Sequence, residues 1–293
     1  ERVLKHVNVE RIRARRFRVA LDGVNGAGSV LSCRFLRDML GCDLKAISVD
    51  PTKPFPRVAE PRPDTVGELA ELVRREKCDI GFAQDPDGDR LAVADETGRV
   101  LDNDDVLALA VDAALGRVPG DVVVNLTTSS VIDDIAAAHG RRVHRTPVGE
   151  ANVVEGIESA KAAIGGEGPN GGIIFPAVHL CRDSYTGMAF LLDRMAETGL
   201  TASELASRLP RYYRKAGKLA YEHGRLGMLM QALEDAFPSA ELDRTDGLKL
   251  MLPEGWIHLR ASNTEPLLRI AAEARTEKGV EELYRSALER LGG

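Results

Sequence analysis

The sequence is poor in cysteine and aromatic residues and has no long apolar run. Its four cysteines are Cys33, Cys42, Cys78 and Cys181. They are scattered without the spacing of metal ligands, which favours reduced thiols in a cytoplasmic protein. Aromatic residues make up 4% of the chain, and the net charge of −6 comes without a basic tract for nucleic acid or an anionic membrane. No apolar run approaches a membrane span, and no signal peptide is visible. With 293 residues, we expect a cytoplasmic globular protein of two or three domains.

Strand and helix patterns alternate along the first two thirds of the chain. A buried strand pattern over 16–24 is followed by a glycine turn, a helical pattern over 29–40 and further strands and helices up to a strand that ends at Gln84. The alternation restarts near residue 104. Since helices between strands imply a largely parallel sheet, we expect two α/β units and a structural duplication, although their sequences barely match.

The last third of the chain has a different pattern. The segments "GLKLML" and "GWIHLRAS" predict a hairpin across Pro253-Glu254, and a third strand and a terminal helix follow. We therefore expect an α/β protein in which two α/β/α domains with mainly parallel mixed sheets precede a smaller α+β C-terminal domain. The expected domain limits are 1–103, 104–204 and 205–293.

Three carboxylates alternate in the stretch "AQDPDGDRLAVAD" (83–95): Asp85, Asp87 and Asp89. The intervening proline and glycine favour a loop over a strand. Anions crowded on a short loop repel one another unless a cation lies among them, and Mg²⁺ prefers carboxylate oxygens and substrate phosphates. An EF-hand is excluded because Arg90 stands where that loop needs glycine and no helix follows. The stretch predicts a metal site, with an ordinary acidic turn as the alternative.

Two further loops carry polar groups suited to a sugar phosphate. In "RASNTEPLLR" (260–269), guanidinium groups, hydroxyls and an amide surround a turn, which suits a phosphate dianion: Arg260, Ser262, Asn263, Thr264 and Arg269. In "GGEGPNGG" (165–172), Glu167 and Asn170 stand among glycines and can grip vicinal hydroxyls. Taken singly, each is also compatible with a polar turn or a flexible loop. Together, the three loops imply a metal, a phosphate and a polyol.

In their order and spacing, "DPDGDR", "GEGPNGG" and "RASNTEPLLR" resemble the metal, sugar and phosphate loops of the α-D-phosphohexomutase family: phosphoglucomutase, phosphomannomutase and phosphoglucosamine mutase. The stretch "LDGVNGAG" (21–28) resembles the start of the family's second domain. The resemblance covers essentially the whole chain and implies domains II, III and IV. The family's first domain carries a phosphorylated serine in a Ser-His-Asn-Pro-like loop. No such loop occurs here, since the segments "TTSSVID" and "TASELAS" lack the His-Asn-Pro.

The resemblance implies that phosphate moves between C1 and C6 of a hexose or hexosamine phosphate through a bisphosphate. By this resemblance the three aspartates hold Mg²⁺, Arg90 holds the phosphoryl group, and Glu167 and Asn170 read sugar hydroxyls. The residues of the 260–269 loop anchor the non-reacting phosphate, and the segment 145–150 lines the cleft. The implied partners are a hexose phosphate and a missing N-terminal domain, so the chain by itself is expected not to turn over.

The sugar loop departs from the common family pattern Glu-x-Ser-Gly-His. Asn170 replaces the serine, Gly172 replaces the histidine, and Pro169 lengthens the loop by one residue. The general base and the sugar preference therefore stay open, with His179 as a substitute base or as a plain surface histidine. A non-catalytic Mg²⁺- or phosphosugar-binding protein remains an alternative. A sugar phosphatase is weaker, because "DPDGD" lacks the threonine of that motif.

Overall fold

The computed structural model describes residues 1–221, 224–262 and 267–292. The α-helices are α1 (Val9–Arg15), α2 (Ser29–Arg34), α3 (Gly67–Glu76), α4 (Asn103–Leu115), α5 (Val131–Ala138), α6 (Glu150–Ala160), α7 (Ser184–Thr198), α8 (Ala202–Ser207), α9 (Leu226–Ala236) and α10 (Glu277–Leu291). The strands are β1 (Arg18–Asp22), β2 (Asp43–Ile47), β3 (Ile80–Gln84), β4 (Leu91–Asp95), β5 (Val122–Asn125), β6 (Val143–Thr146), β7 (Ile164–Glu167), β8 (Gly172–Ile174), β9 (Tyr213–Ala220), β10 (Glu241–Asp243), β11 (Leu248–Leu252), β12 (Gly255–Ala261) and β13 (Leu267–Ala274). No helix of the described residues is long and apolar enough to cross a membrane.

The chain divides into two compact units. The first consists of Glu1–Arg145 and Gly149–Leu209, and the second of Thr146–Val148 and Pro210–Gly293. The first unit contains two sheets and the second contains one. The expected domain limit between residues 204 and 205 falls inside helix α8, and the three domain limits stay predictions.

The first sheet has the strand order β2-β1-β3-β4. Strand β1 pairs in parallel with β2 and β3, because helical segments return the chain between them, and β4 pairs antiparallel to β3. Helix α3 buries Leu69, Leu72 and Val73 in the apolar cluster beneath this sheet. Strands β3 and β4 are buried at every residue, as expected for a sheet covered on both faces.

The second sheet repeats this arrangement in the order β6-β5-β7-β8. Strand β7 pairs in parallel with β5 and antiparallel with β8, so the expected duplication is present as topology. Helix α4 packs against α5, α7 and β7. It buries apolar residues around its whole circumference, which is typical of a helix inside a large core.

The second unit holds an antiparallel sheet in the order β10-β11-β12-β13-β9. The expected hairpin forms across Pro253-Glu254, where Leu252 pairs with Gly255. One face of the sheet supplies an apolar core with residues such as Leu250 and Ile257, and helices α9 and α10 contribute Leu233 and Leu283 to it. Two mixed α/β sheets followed by an α+β unit confirm the expected fold class.

Two local expectations differ from the structure. The helical pattern over 29–40 forms α2 and then a wider π-helical turn, Phe35–Met39. The stretch "LAVADETGRVL" (91–101) predicts a strand, a turn around Thr97-Gly98 and a second strand, but the second strand is reduced to a single bridge between Ala94 and Val100. The second strand cannot extend further along the chain, because Asp102 is already the N-cap of helix α4. Its side chain accepts a hydrogen bond from the backbone N–H of Asp104.

Candidate functional site

The metal loop, residues 85–90, is the connection between the antiparallel strands β3 and β4. Its three aspartates, Asp85, Asp87 and Asp89, each place an oxygen so that these atoms lie within 4.8 Å of one another. Asp89 Oδ1 is buried and accepts no hydrogen bond within the described part of the chain. Three converging carboxylates with one unused buried oxygen are a donor set that fits a hard divalent cation.

The electrostatics of the metal loop reflect crowded negative charge. Burial, followed by the hydrogen bond and charge of Asp89, raises the pKa of Asp85 to about 7. The backbone N–H of Arg90 donates to Asp85 Oδ1 at 3.1 Å. The Arg90 guanidinium pairs with Glu60 and lies 3.6 Å from Asp85 Oδ2. Arg90 therefore balances carboxylates in this structure, and its expected contact with a phosphoryl group stays a prediction.

The glycine loop 23–28 supports the metal loop from below. The backbone N–H of Ala27 donates to Pro86 O at 2.7 Å, and Val24 and Asn25 adopt left-handed backbone conformations with φ of 49° and 55°. From the other side, Ser184 Oγ donates to Gly88 O at 2.6 Å. The sequence marked this glycine loop only through its resemblance to the family, and its packing role comes from the tertiary structure.

Glu167 ends strand β7 and is only 2% exposed. Its Oε1 accepts hydrogen bonds from Asn125 Nδ2 at 2.8 Å and from the Gly149 backbone at 2.9 Å. The sugar loop then turns through a 3₁₀ segment, Gly168–Asn170, in which Asn170 is partly buried. Glu167 thus belongs to a buried polar network, and its expected role in reading sugar hydroxyls stays a prediction.

The metal loop and the sugar loop meet through their backbones. The N–H of Leu91 donates to Gly171 O at 3.0 Å, and Arg90 forms an isolated antiparallel bridge with Gly172. Two loops that lie 80 residues apart in sequence are therefore held in contact. Their resemblance to the family's loops predicted that both belong to one site, and the structure brings them together.

Arg182, which was not predicted from the sequence, joins the same two loops through its side chain. Its guanidinium lies 2.5 Å from Asp89 Oδ2, 3.6 Å from Glu167 Oε2 and 3.1 Å from Glu150 Oε2. Although burial alone lowers the pKa of Arg182, the charges of these three carboxylates raise it. The one available signal was an arginine between apolar residues and the helix cap Asp183.

Two other expected cleft residues have local partners. His179 Nδ1 lies 2.6 Å from Cys181 Sγ, and its Nε2 lies 3.6 Å from Asp183. In the segment 145–150, the Arg145 guanidinium donates a hydrogen bond to Thr128 O at 2.7 Å, just before the start of helix α5. A base role for His179 stays a prediction.

The phosphate loop lies in the second unit. Arg260 on β12 stands directly opposite Arg269 on β13, and Arg269 stands opposite Lys218 on β9. The backbone N–H of Ser262 donates to Leu267 O at 2.8 Å. Asn263 and Thr264, the two remaining expected ligands, lie outside the described residues. Three cationic residues therefore occupy paired positions on three neighbouring strands, which we call one rung of the sheet. Lys218 was not anticipated from the sequence.

Sequence models of the phosphoglucomutase/phosphomannomutase family match the chain in three consecutive segments. The α/β/α domain II matches residues 1–98, the α/β/α domain III matches 102–213, and the C-terminal domain matches 218–289. These matches follow the order of the three sheets. The chain belongs to the phosphoglucomutase/phosphomannomutase family.

Three relatives illustrate the similarity. The phosphoglucomutase/phosphomannomutase of Thermococcus kodakarensis is 37% identical over 294 residues, covering 99% of this chain and 64% of the relative. A Methanopyrus kandleri protein named probable phosphoglucosamine mutase is 34% identical, covering 97% and 62%. A phosphopentomutase of Thermococcus kodakarensis is 35% identical, covering 92% and 61%. The chain therefore spans less than two thirds of the length of these relatives.

Solved structures share the fold. A phosphoglucomutase/phosphomannomutase family protein from Burkholderia thailandensis has a TM-score of 0.81 at 24% identity, over 97% of this chain and 64% of that one. The Aspergillus fumigatus N-acetylphosphoglucosamine mutase, solved with GlcNAc-6P and magnesium, has a TM-score of 0.68 at 17% identity, over 99% and 69%. At these identities the likeness concerns the fold.

Proposed function

We propose that this chain supplies the metal, sugar and phosphate loops of a phosphohexomutase. The enzyme moves phosphate between the C1 and C6 oxygens of a hexose or hexosamine phosphate through a bisphosphate. The observation that carries the proposal is the contact between the metal loop and the sugar loop, made by the backbone bridge of Arg90 with Gly172 and by Arg182 with both loops. We place the enzyme in the cytoplasm, in keeping with its four free cysteines.

In the proposed mechanism the three aspartates of the metal loop hold Mg²⁺. A bound Mg²⁺ neutralises negative charge as the phosphoryl group transfers. Arg90 is adjacent to this site and exchanges its pairing with Glu60 for the phosphoryl oxygens. Glu167 and Asn170 orient the sugar from the neighbouring loop, with the Glu167 carboxylate already held in place by Asn125.

The second unit anchors the non-reacting phosphate. Arg260, Arg269 and Lys218 share one rung of the antiparallel sheet. Three cationic side chains that lie side by side offer a phosphate dianion several charged donors, and an arginine can grip phosphate by two parallel hydrogen bonds. We propose Ser262, Asn263 and Thr264 as further ligands of the same phosphate, and Lys218 as an added cation at its edge.

The proposed nucleophile is a phosphorylated serine outside these 293 residues, since no Ser-His-Asn-Pro sequence occurs among them. We also propose three domains, with the second limit placed after helix α8 rather than inside it. The chain by itself should bind hexose phosphate but not isomerise it, because a bisphosphate can prime only an enzyme with a serine that accepts its phosphoryl group.

Calorimetric titration with glucose 6-phosphate, beside a coupled mutase assay with Mg²⁺ and a hexose bisphosphate primer, tests both halves of the proposal. Arg269→Ala should abolish the weak binding, because it removes a bidentate partner of the dianion. The matched control is Lys215→Ala on the same strand as Lys218, since Lys215 pairs with Glu281. Turnover by the purified chain would overturn the assignment of the nucleophile.

Substrate preference needs its own titration. The relatives named above include mutases of hexose phosphates and a phosphopentomutase. Glucose 6-phosphate, mannose 6-phosphate, glucosamine 6-phosphate and ribose 5-phosphate should therefore be compared. Tighter binding of ribose 5-phosphate than of every hexose phosphate would replace the hexose in the proposal by a pentose.

A further inference from the structure

Arg182 has an arrangement of partners that the proposed mechanism does not use. It lies in the connection between β8 and α7, and its side chain is only 14% exposed. Its guanidinium contacts carboxylates from the metal loop, the sugar loop and the start of helix α6, contributed by Asp89, Glu167 and Glu150. One cation therefore forms ion pairs with three chain segments that converge on the site.

The chain around Arg182 holds this side chain in place. Its backbone N–H donates to Glu150 Oε1 at 2.9 Å. The next residue, Asp183, donates its backbone N–H to Ile173 O at 2.8 Å and caps helix α7. Gly172 leaves the space that the side chain fills, because a Cβ there would lie 2.4 Å from Arg182 Cδ. The position of the guanidinium is therefore built into the fold.

The two oxygens of Asp89 have different surroundings. Oδ2 pairs with Arg182 at 2.5 Å, while Oδ1 is buried and accepts no hydrogen bond from any described residue. Oδ1 also lies 3.9 Å from Arg90 Nε, beyond hydrogen-bonding distance. The Asp89 carboxylate is thus held by Arg182 through Oδ2, while its Oδ1 has the Arg90 cation only at longer range. In the absence of a metal ion, Arg182 offsets part of the repulsion among the three aspartates.

We propose that Arg182 is an internal counter-cation of the metal loop, which competes with the divalent cation for Asp89 and links metal occupancy to the sugar loop. It is a positioning residue, and the inference rests on the metal site of the proposed function. A divalent cation beside Asp89 weakens the Arg182–Asp89 pair by charge repulsion. The guanidinium keeps Glu150 and Glu167, so that metal loading shifts its pairing toward the sugar loop.

The sign of the change in metal affinity distinguishes this role from simple structural support. Arg182→Gln removes a positive charge from beside the site and should tighten Mn²⁺ binding about tenfold, as expected for a unit charge near a divalent ion under water-like screening. The metal-free variant should melt at a lower temperature than wild type. Arg182→Lys keeps the charge but loses the planar fork, so its Mn²⁺ affinity should stay near wild type.

Mn²⁺ affinity is measured by electron paramagnetic resonance on the whole chain, and melting by circular dichroism. The matched control is Arg194→Gln, which removes one positive charge from Asp112 and Glu197 in the same unit and should leave Mn²⁺ affinity unchanged. Weaker or unchanged Mn²⁺ binding by Arg182→Gln would overturn the inference. If the substitution prevents folding, Arg182→Lys decides the question, since a large loss of affinity despite the retained charge would also overturn it.

Asp87→Asn separates this inference from the proposed function, because Asp87 makes no ion pair with Arg182. If wild-type Mn²⁺ binding does not depend on Asp87, the proposed metal site and the inference both fail. If binding depends on Asp87 but Arg182→Gln does not tighten it, only the inference fails.

Discussion

The two α/β sheets of the first unit share one topology but carry different chemistry at the corresponding connection. Between β3 and β4 the chain places three carboxylates, and between β7 and β8 it places a glycine turn that follows Glu167. Both connections join the antiparallel edge strand to the strand beside it. The repeat therefore sets where the functional loops emerge, and the loop sequences alone set what each can bind.

The two connections also differ in how closely they are packed. A Cβ on Gly168 in the sugar loop would lie 1.8 Å from Asp104 Oδ1, whereas a Cβ on Gly88 in the metal loop would have Gln84 Nε2 at 3.4 Å as its nearest neighbour. The sugar loop needs glycine at position 168 because there is no space for a side chain there. The metal loop needs it for backbone conformation, since Gly88 has a φ of 78°.

The largest expected effect separates these two uses of glycine. Gly168→Ala should lower the free energy of unfolding by about 3 kcal/mol, because the added carbon displaces Asp104 from its hydrogen bond with the Ser129 backbone. Gly88→Ala should cost only about 1 kcal/mol of left-handed backbone strain. Urea denaturation measures both variants. Equal losses would show that the two loops are packed alike.

A second prediction contrasts the α/β unit with the antiparallel unit through pH. Burial lowers the pKa of His258 to about 4 from 6.5, so the unfolded state binds more protons between these values. The second unit should therefore lose about 2 kcal/mol of stability between pH 7 and pH 5. Burial, with the charge of Asp102, raises the pKa of Asp105 to about 6, so this group alone should add about 1 kcal/mol to the stability of the first unit over the same range, in addition to the gain from the raised pKa of Asp85.

The single tryptophan, Trp256, lies on the same strand as His258 and reports unfolding of the second unit. Its fluorescence should give a urea midpoint that falls on acidification, and His258→Gln should flatten that dependence. Asp105→Asn should leave the fluorescence midpoint unaffected. A midpoint that rises from pH 7 to pH 5 in wild type would contradict the assigned direction for His258.

The third prediction tests the chemistry of the metal loop against that of the sugar loop. Asp87→Asn should weaken Mg²⁺ binding at least about tenfold, because an amide oxygen replaces one of three carboxylates around a hard cation. The apo protein should stay as stable as wild type, since the lost charge was repelled by its neighbours. Asn170→Ala in the other loop should leave Mg²⁺ affinity unchanged in calorimetric titration. A loss shared by both variants would contradict the separation of roles.

The smallest expected effect concerns the cationic rung of the antiparallel sheet. Lys218→Ala should weaken glucose 6-phosphate binding about threefold, in the range of a single exposed charge pair. It should do so less than Arg269→Ala, which lies between Lys218 and Arg260. Nuclear magnetic resonance titration resolves such weak binding. An effect of Lys218→Ala as large as that of Arg269→Ala would place the phosphate nearer β9.

Short-range patterns in the sequence determined the elements and the candidate loops. Alternation of strand and helix predicted the two α/β sheets, and the spacing of Asp85, Asp87 and Asp89 predicted a carboxylate cluster that the structure contains. Thr201 and Glu204 have the spacing of a capping box, and the structure contains that capping box at the start of helix α8. These features depend on residues close in sequence, where period, turn chemistry and charge crowding act directly.

Contacts between residues that are distant in sequence come from the tertiary fold. Arg182 reaches Asp89 and Glu167 because the second repeat returns its chain beside the first, and its place before the helix cap Asp183 does not indicate either partner. Lys218 joins Arg269 through strand register alone. The burial of Glu167, and the depressed pKa of His258, likewise arise from side chains brought together by packing. Such pairings depend on long-range topology and register, which neither composition nor periodicity encodes.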